Sequence, residues 1–202
     1  MFMEIITVFT ENPSFFLFSV FFLSLMIGSF LNVVIYRLPI MLKYEWKSDC
    51  IHFLSEEYPS ENETKKYTQA IQKNTIEKKF NLSTPRSRCP SCNHQITALE
   101  NIPVISWLFL RAKCSQCHNP ISARYPIIEL TTALRSTLVA YYFGVQWFTL
   151  GVLVLTWALI ALSMIDFDCQ LLPDNITLPL LWLGLLISLL QLSNISVEIF
   201  LV

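Results

Sequence analysis

The stretch that decides the fold is "SFFLFSVFFLSLMIGSFLNVVIY", residues 14–36, which contains no charged side chain. It is long enough for an α-helix to cross the ~30 Å hydrocarbon core of a bilayer. A signal peptide is disfavoured, because Glu4 and Glu11 stand where a basic segment would be and no clear small-residue cleavage site follows. We therefore interpret residues 14–36 as a transmembrane helix.

Three further apolar runs follow, at residues 127–143, 147–165 and 178–192. The chain of 202 residues is 53% hydrophobic with a mean hydropathy of +0.50, which excludes an ordinary soluble domain. The fold class predicted is an all-α polytopic membrane protein with about four transmembrane helices. The last three helices occupy residues 127–202. We find no internal repeat.

The basic side chains indicate how the chain is oriented. Of 14 Lys and Arg, 13 lie between Arg37 and Arg124, together with 8 of the 15 acidic residues. An excess of Lys and Arg marks cytoplasmic segments. Residues 37–126 are therefore expected to form a cytoplasmic domain, with the amino terminus outside and residues 166–177 as a second cytoplasmic loop. The expected partner is the lipid bilayer, and no nucleic acid is expected.

Two CxxC motifs lie within this domain, "CPSC" at 89–92 and "CSQC" at 114–117. A spacer of two residues lets both thiolates of a motif reach one tetrahedral ion. The spacing predicts a structural zinc-ribbon-like module over residues 87–126, preceded by a variable polar insert over 43–86. Its four ligands are Cys89, Cys92, Cys114 and Cys117. Two redox-active CxxC motifs are the alternative, disfavoured because no βαβ pattern surrounds them.

Two histidines near these motifs and two single cysteines elsewhere receive lesser roles. His94 and His118 are expected at the surface or beside the ligands, because four cysteines complete the zinc shell. Cys50 and Cys169 are expected to be free thiols.

The acidic stretch "SMIDFDCQLLPD", residues 163–174, directly follows the third apolar run. Two neighbouring carboxylates can share a proton, one acting as base on water and the other as acid on a peptide carbonyl. On a helix, Asp166 and Asp168 would diverge by about 200°, and Asp166 and Asp174 would lie about 12 Å apart. A partner for Asp166 must therefore come from elsewhere or from a sharp local break. The alternative is that these acids are solvated, with Asp174 capping the next helix.

Four segments together resemble the type IV prepilin leader peptidases, which also serve type II secretion. They are "GSFLNVVIYRLP" (28–39), "CPSCNHQITALENIPVISWLFLRAKCSQCHNPISARYPIIE" (89–129), "LTWALIALSMIDFDCQLLPD" (155–174) and "LPLLWLGLL" (178–186). The resemblance implies a multi-pass aspartic peptidase of the bacterial inner membrane. Such an enzyme cleaves prepilins and pseudopilins after the leader glycine and often N-methylates the new amino terminus with S-adenosylmethionine.

By the same resemblance, the first catalytic aspartate is Asp166, with Asp168 and Asp174 in supporting positions. The family's second aspartate lies in a Gly-x-Gly-Asp segment, and no Gly-x-Gly occurs among the 4 glycines here. We therefore expect the chain alone not to cleave, whether it is a fragment, a truncated gene product, or half of a site completed by another chain. A non-catalytic zinc-ribbon scaffold that binds pilins or assembly partners is the alternative function.

Polar residues at the membrane boundary are expected to be mainly structural. Asn32 is interpreted as a polar group at a helix end, and Arg37 as a snorkelling cation. Glu129 and Arg135 are six residues apart, so they do not share a helix face and are expected to meet other partners. The resemblance around "RYPIIE" leaves a substrate role open for them.

Overall fold

The computed structural model describes residues 2–57, 80–97 and 99–200. This part of the chain is mostly helical and contains no β-strand, only two isolated bridges. The predicted all-α character is confirmed. The α-helices are α1 (Phe2–Glu11), α2 (Pro13–Glu57), α3 (Ile105–Phe109), α4 (Arg124–Phe143), α5 (Trp147–Cys169) and α6 (Asp174–Phe200).

Two of the described helices, α2 and α5, are long and apolar enough to cross a membrane. In the most apolar stretch of each helix, only 33% of α2 and 28% of α5 is buried. The core helix of a soluble protein would be buried mostly, so the exposed apolar side chains of α2 and α5 favour a lipid environment. Helix α4 is not apolar enough to count as a candidate membrane span, and the apolar part of α6 (Asp174–Leu189) is too short. The predicted number of four spans therefore stays a prediction.

Helix α2 extends far beyond the apolar run that predicted it. It continues through Pro39 to Glu57, a length of 45 residues or about 68 Å. The end of the apolar run marks where the bilayer would end, and good helix formers such as Lys, Glu and Leu let the helix continue into water. The predicted polar insert is therefore helical over residues 43–57. Its residues 58–79 lie outside the described part.

Helices α2, α4 and α5 pack into a three-helix core with two hydrophobic clusters. One cluster contains Leu31 and Ile35 of α2, Ile128 of α4, and Ala161 and Ile165 of α5. The other joins three residues nearer the opposite end, Val20, Ala140 and Leu153. Helix α4 therefore runs antiparallel to both of its neighbours. The carboxyl end of α5 and the amino end of α4 consequently lie at the same end of the bundle.

Gly28 permits the closest approach between α2 and α4. A Cβ atom on this residue would lie 2.8 Å from the Cα of Glu129 and 3.2 Å from the Cβ of Thr132. Contacts this short with backbone cannot be relieved by a side-chain rotation. The absence of a side chain at Gly28 therefore sets the separation of the two helices.

We predict that Gly28→Ala destabilises the bundle by about 1–3 kcal/mol, because the extra methyl group must push the two backbones apart. Unfolding in detergent, followed by circular dichroism, measures this change. The matched control is Gly184→Ala, since a Cβ at that helical position meets nothing within 4 Å. The control should be neutral or slightly stabilising. Equal stability of both variants would contradict the close packing.

Candidate metal centre and active-site end

The two CxxC motifs form one ten-residue structure that occurs twice, at residues 87–96 and 112–121. In each copy the first cysteine's N–H donates to a carbonyl five residues on: Cys89 to His94 and Cys114 to Asn119, both at 2.9 Å. An isoleucine N–H closes each loop, and the residue after the second cysteine has positive φ, 58° at Asn93 and 56° at His118. This repeat is hidden in the sequence, because only the cysteines and the final isoleucine are identical between the two copies.

The repeat brings the four predicted ligands together. All four sulfur atoms lie within 4.8 Å of one another. Across the two loops, Sγ of Cys89 is 3.7 Å from Sγ of Cys117, and Sγ of Cys92 is 3.9 Å from Sγ of Cys114. Sulfurs bound tetrahedrally at ~2.3 Å from a zinc ion would lie ~3.8 Å apart. The cluster is therefore compatible with a structural metal, and the cysteines are free thiols rather than disulfides.

Backbone N–H groups favour the thiolate form of two of these four cysteines. Hydrogen bonds from the N–H groups of Cys92 and Ser91 lower the pKa of the Cys89 thiol to about 6. The pKa of Cys114 is lowered in the same way by the N–H groups of Cys117 and Gln116. A thiolate is the form that binds metal. The lowered pKa therefore favours the thiolate at the first cysteine of each loop.

Glu100 connects the two loops, a role that the sequence analysis missed. Its carboxylate accepts hydrogen bonds from the N–H (2.8 Å) and hydroxyl (2.9 Å) of Thr97 and lies 3.4 Å from Nε2 of His94. Hydrogen bonds from the Ser115 side chain, and then from Thr97, lower the pKa of Glu100 to about 2. The signal was present in the sequence, because Thr97-x-x-Glu100 is a capping box. His94 therefore lies beside the cluster, as predicted, and His118 is exposed.

Glu129 attaches the cysteine-containing segment to the helices. It is buried, with 7% of its surface exposed, and its Oε2 accepts a hydrogen bond of 2.8 Å from the N–H of Val104. Ser29 of α2 provides a second hydrogen bond. Val104 has a φ of 60°, an unfavourable conformation for a β-branched residue. Glu129 thus meets partners other than Arg135, as expected, and it accepts a backbone N–H that this strained turn would otherwise leave unpaired.

Asn32 and Arg37 have roles that differ from those predicted. Asn32 lies inside α2 rather than at a helix end, and its side-chain amide donates to the carbonyl of Tyr125 at 3.2 Å. Arg37 is buried rather than snorkelling to solvent. Its guanidinium donates to the carbonyls of Asn81 (2.9 Å) and Pro85 (2.6 Å). Because α2 continues past residue 36, both side chains face protein, and Arg37 fastens the segment before the first CxxC loop.

The acidic residues lie at the same end of the bundle as this segment. Asp166 and Asp168 are in the last turn of α5, which ends at Cys169, so only residues 170–173 separate α5 from α6. Asp174 is the first residue of α6, and the carbonyl of Pro173 accepts the first helical hydrogen bonds. Asp174 therefore stands in the first turn, where the helix dipole favours a carboxylate, rather than at the cap.

Asp166 and Asp168 differ in their partners. Arg124 makes a two-pronged ion pair with Asp168, at 2.8 and 2.5 Å. The carboxylate of Asp166 is exposed and has no hydrogen-bond or ion-pair partner among the described residues. Both residues lie on α5, where ideal helix geometry separates their directions by about 200°. Of the two carboxylates, only that of Asp168 is paired within the described residues, and its partner Arg124 is a residue that sequence reasoning did not single out.

Comparison with known proteins places the chain in a family. The Bacterial Peptidase A24 N-terminal domain matches residues 22–143, and the Type IV leader peptidase family matches residues 153–202. This chain belongs to the prepilin leader peptidase family. The resemblance described from the sequence is thereby confirmed.

Individual relatives of this family bear the name prepilin leader peptidase/N-methyltransferase. The protein from Aeromonas hydrophila is 56% identical over 85% of this chain and 54% of its own length. The protein from Pseudomonas aeruginosa is 44% identical over 91% of this chain and 58% of its own length. The chain thus spans about half the length of the curated relatives it matches. No solved structure matches it.

We predict that Glu100→Gln weakens the link between the two CxxC loops at neutral pH. The folded-state pKa of Glu100, about 2, lies below its ordinary value of 4.5. Its contribution to stability is therefore complete above pH 4.5 and is lost as the pH falls towards 2. In thermal unfolding of the purified chain, wild type should unfold at a higher temperature than Glu100→Gln at pH 7. This difference should vanish near pH 2.

The matched control for this prediction is Glu56→Gln. Glu56 is exposed, and its contact is a 3.6 Å pair with His52 on the same helix. This variant should unfold like wild type at pH 7. A wild-type advantage over Glu100→Gln that persists undiminished at pH 2 would contradict the assigned role of Glu100.

Proposed function

We propose that this chain forms the amino-terminal half of a prepilin peptidase and contributes Asp166 as its first catalytic residue. The single observation that carries the proposal is the free, exposed carboxylate of Asp166 beside a neighbouring aspartate already neutralised by Arg124. It stands at the bundle end that also holds the four-cysteine cluster. The family membership supplies the reaction class, and the relatives are named for both peptidase and methyltransferase activities.

The proposed chemistry is hydrolysis of a peptide bond by water between two aspartates. One carboxylate takes a proton from the water, and the other carboxylic acid donates a proton to the scissile carbonyl. Asp166 is one member, and by the family resemblance the second belongs to a Gly-x-Gly-Asp segment, which these 202 residues do not contain. Asp168 and Asp174 have supporting roles. Asp168 is already paired with Arg124, and Asp174 is positioned by the start of α6. The ion pair of Asp168 fixes the last turn of α5, which carries Asp166.

The proposed substrates are prepilins and pseudopilins, cleaved after the leader glycine at the cytoplasmic face of the inner membrane. Such a substrate has a short basic leader followed by an apolar helix. An anionic group at the membrane boundary suits the junction of those two parts. N-methylation of the new amino terminus, with S-adenosylmethionine as the methyl donor, is included in the proposal through the family alone.

The proposed metal is zinc, bound by the four cysteines. A closed shell of four thiolates leaves no position for a water molecule, so zinc would hold the fold and take no part in hydrolysis. The sulfur separations of 3.7 and 3.9 Å support this assignment.

We predict that the purified chain contains about one zinc per molecule and that Cys92→Ser removes most of it. Loss of one thiolate from a tetrahedral site opens the shell and weakens binding. Elemental analysis after dialysis measures the metal content. Cys50→Ser is the control, because Cys50 is an exposed free thiol on α2. A metal-free wild-type protein with a reducible disulfide would instead support redox-active motifs.

We predict that Asp166→Asn abolishes prepilin cleavage, by roughly 10³-fold or more, as expected for a residue of a catalytic pair. Since the chain spans half of its relatives, the test uses a chimera in which it replaces the matching part of the Aeromonas hydrophila protein. The chimera is expressed in a strain that lacks prepilin peptidase, and the prepilin size shift is followed on gels.

The control for this chimera is Asp174→Asn, which removes another exposed carboxylate from the same end of the bundle. It should retain most of the cleavage. If Asp166→Asn cleaves normally while Cys92→Ser abolishes pilus assembly, the chain acts as a zinc-ribbon scaffold instead. If both aspartate variants cleave normally, Asp166 is not catalytic.

A further inference from the structure

The ion pair between Arg124 and Asp168 joins two helix ends whose charges are unfavourable by themselves. Arg124 is the first residue of α4, where the positive end of the helix dipole disfavours a cation. Asp166 and Asp168 lie in the last turn of α5, where the negative end of the dipole disfavours carboxylates. The first turn of α4 contains no acidic residue, and the last turn of α5 contains no basic one. Neither helix therefore compensates its own end charges.

The antiparallel arrangement of α4 and α5 brings these two ends together. Both terminal nitrogens of Arg124 donate to the Asp168 carboxylate, at 2.8 and 2.5 Å. A single-contact surface ion pair stabilises little, whereas a two-pronged arginine–carboxylate pair restricts both side chains to one geometry. Only 39% of the Arg124 side chain and 28% of the Asp168 side chain are exposed. Each charge thus compensates the other and lies beside the helix end that attracts it.

The ion pair extends the packed side of α5 into its last turn. Ile165, directly before Asp166, is fully buried in the cluster that also contains Ile128 of α4. Ideal helix geometry places Asp168 about 60° from Ile165 around α5, and Asp166 about 100° away in the other direction. The last turn is therefore held on one side by apolar packing and by the pair with Arg124. Holding that side fixes the turn from which Asp166 projects.

The start of α4, which carries Arg124, is itself attached to α2. Ala123 stands at the N-cap of α4 and offers no side-chain hydrogen bond to the helix. The side-chain amide of Asn32 on α2 donates to the carbonyl of Tyr125, the residue next to Arg124, at 3.2 Å. Polar contacts therefore link α2 to α4 through Asn32, and α4 to α5 through Arg124, at the end of the bundle where Asp166 lies.

We propose that Arg124 is a positioning residue for cleavage. Through Asp168 it holds the last turn of α5, and thereby the Asp166 carboxylate, in the place that the reaction requires. A catalytic carboxylate must keep a set distance to the attacking water, and a displacement of about 1 Å can lower the rate about 100-fold. Arg124 acts without touching the substrate. Its effect on cleavage rests on the proposed function of Asp166, whereas its hold on the turn does not.

The first measurement is amide hydrogen exchange of the full chain in lipid nanodiscs, which needs no activity. The N–H of Gln170 donates to the carbonyl of Asp166 at 2.8 Å and reports whether the last turn of α5 is intact. Arg124→Gln should speed exchange in this turn roughly 2- to 10-fold, since the turn opens more often without the pair. The control is Arg111→Gln, which removes an exposed cation from the segment between the CxxC loops and should leave this exchange unchanged.

The second measurement is cleavage of purified prepilin by the chimera with the Aeromonas hydrophila protein. Arg124→Gln should lower kcat roughly 10-fold with little change in KM, because the reacting group is displaced while substrate binding is retained. Arg111→Gln should cleave like wild type. Arg124→Asp combined with Asp168→Arg rebuilds the pair and places each charge at the favourable end of its own helix. This reversed pair should restore both slow amide exchange and most of kcat.

Unchanged amide exchange in Arg124→Gln would overturn the hold on the turn. A reversed pair that restores slow exchange but not cleavage would overturn the positioning role and assign Arg124 to direct contact with the substrate. So would an Arg124→Gln variant with a raised KM and an unchanged kcat. Normal cleavage by Asp166→Asn contradicts the proposed function instead, and the exchange measurement still decides whether Arg124 holds the last turn of α5.

Discussion

The close contact between α2 and α4 at Gly28 is the constraint on which the rest of the structure depends. Because Gly28 has no side chain, the backbone of Glu129 lies against α2, and the Glu129 carboxylate is buried between the helices. A buried carboxylate needs hydrogen-bond donors. Val104 and Ser29 supply them, and Val104 belongs to the segment between the two CxxC loops. One glycine thereby connects helix packing to the position of the four-cysteine cluster.

The segment that carries the cysteines has little else to hold it together. Its buried apolar side chains are mainly those of Cys89 and Cys114, too few to form a hydrophobic core. Backbone hydrogen bonds repeated in the two loops, together with Glu100 between them, arrange the sulfurs at separations that suit a tetrahedral ion. Metal binding would then supply the folding free energy that apolar burial does not. Arg37 and Glu129 attach this segment to the bundle at two separate places.

Two aspartates in one helical turn show how environment separates their roles. Asp168 is held by Arg124 across the interface of α4 and α5, so its charge is compensated. Asp166, on another side of the same turn, has a free carboxylate. Because α4 is antiparallel to α5, Arg124 and the acids meet at one end of the bundle. Arg135, eleven residues further along α4, has no such counterpart among the described residues.

The sequence by itself determined the helical class, the apolar segments, the four cysteines and the divergence of Asp166 from Asp168. These features follow from composition, from spacing along the chain and from the 3.6-residue period of a helix, all of which are local. Only the tertiary structure decided the partners of Asn32, Arg37, Arg124 and Glu129. Each of them meets a group at least twenty-five residues away. No local spacing encodes such a pair, because it depends on how closely two helices approach, and here Gly28 sets that distance.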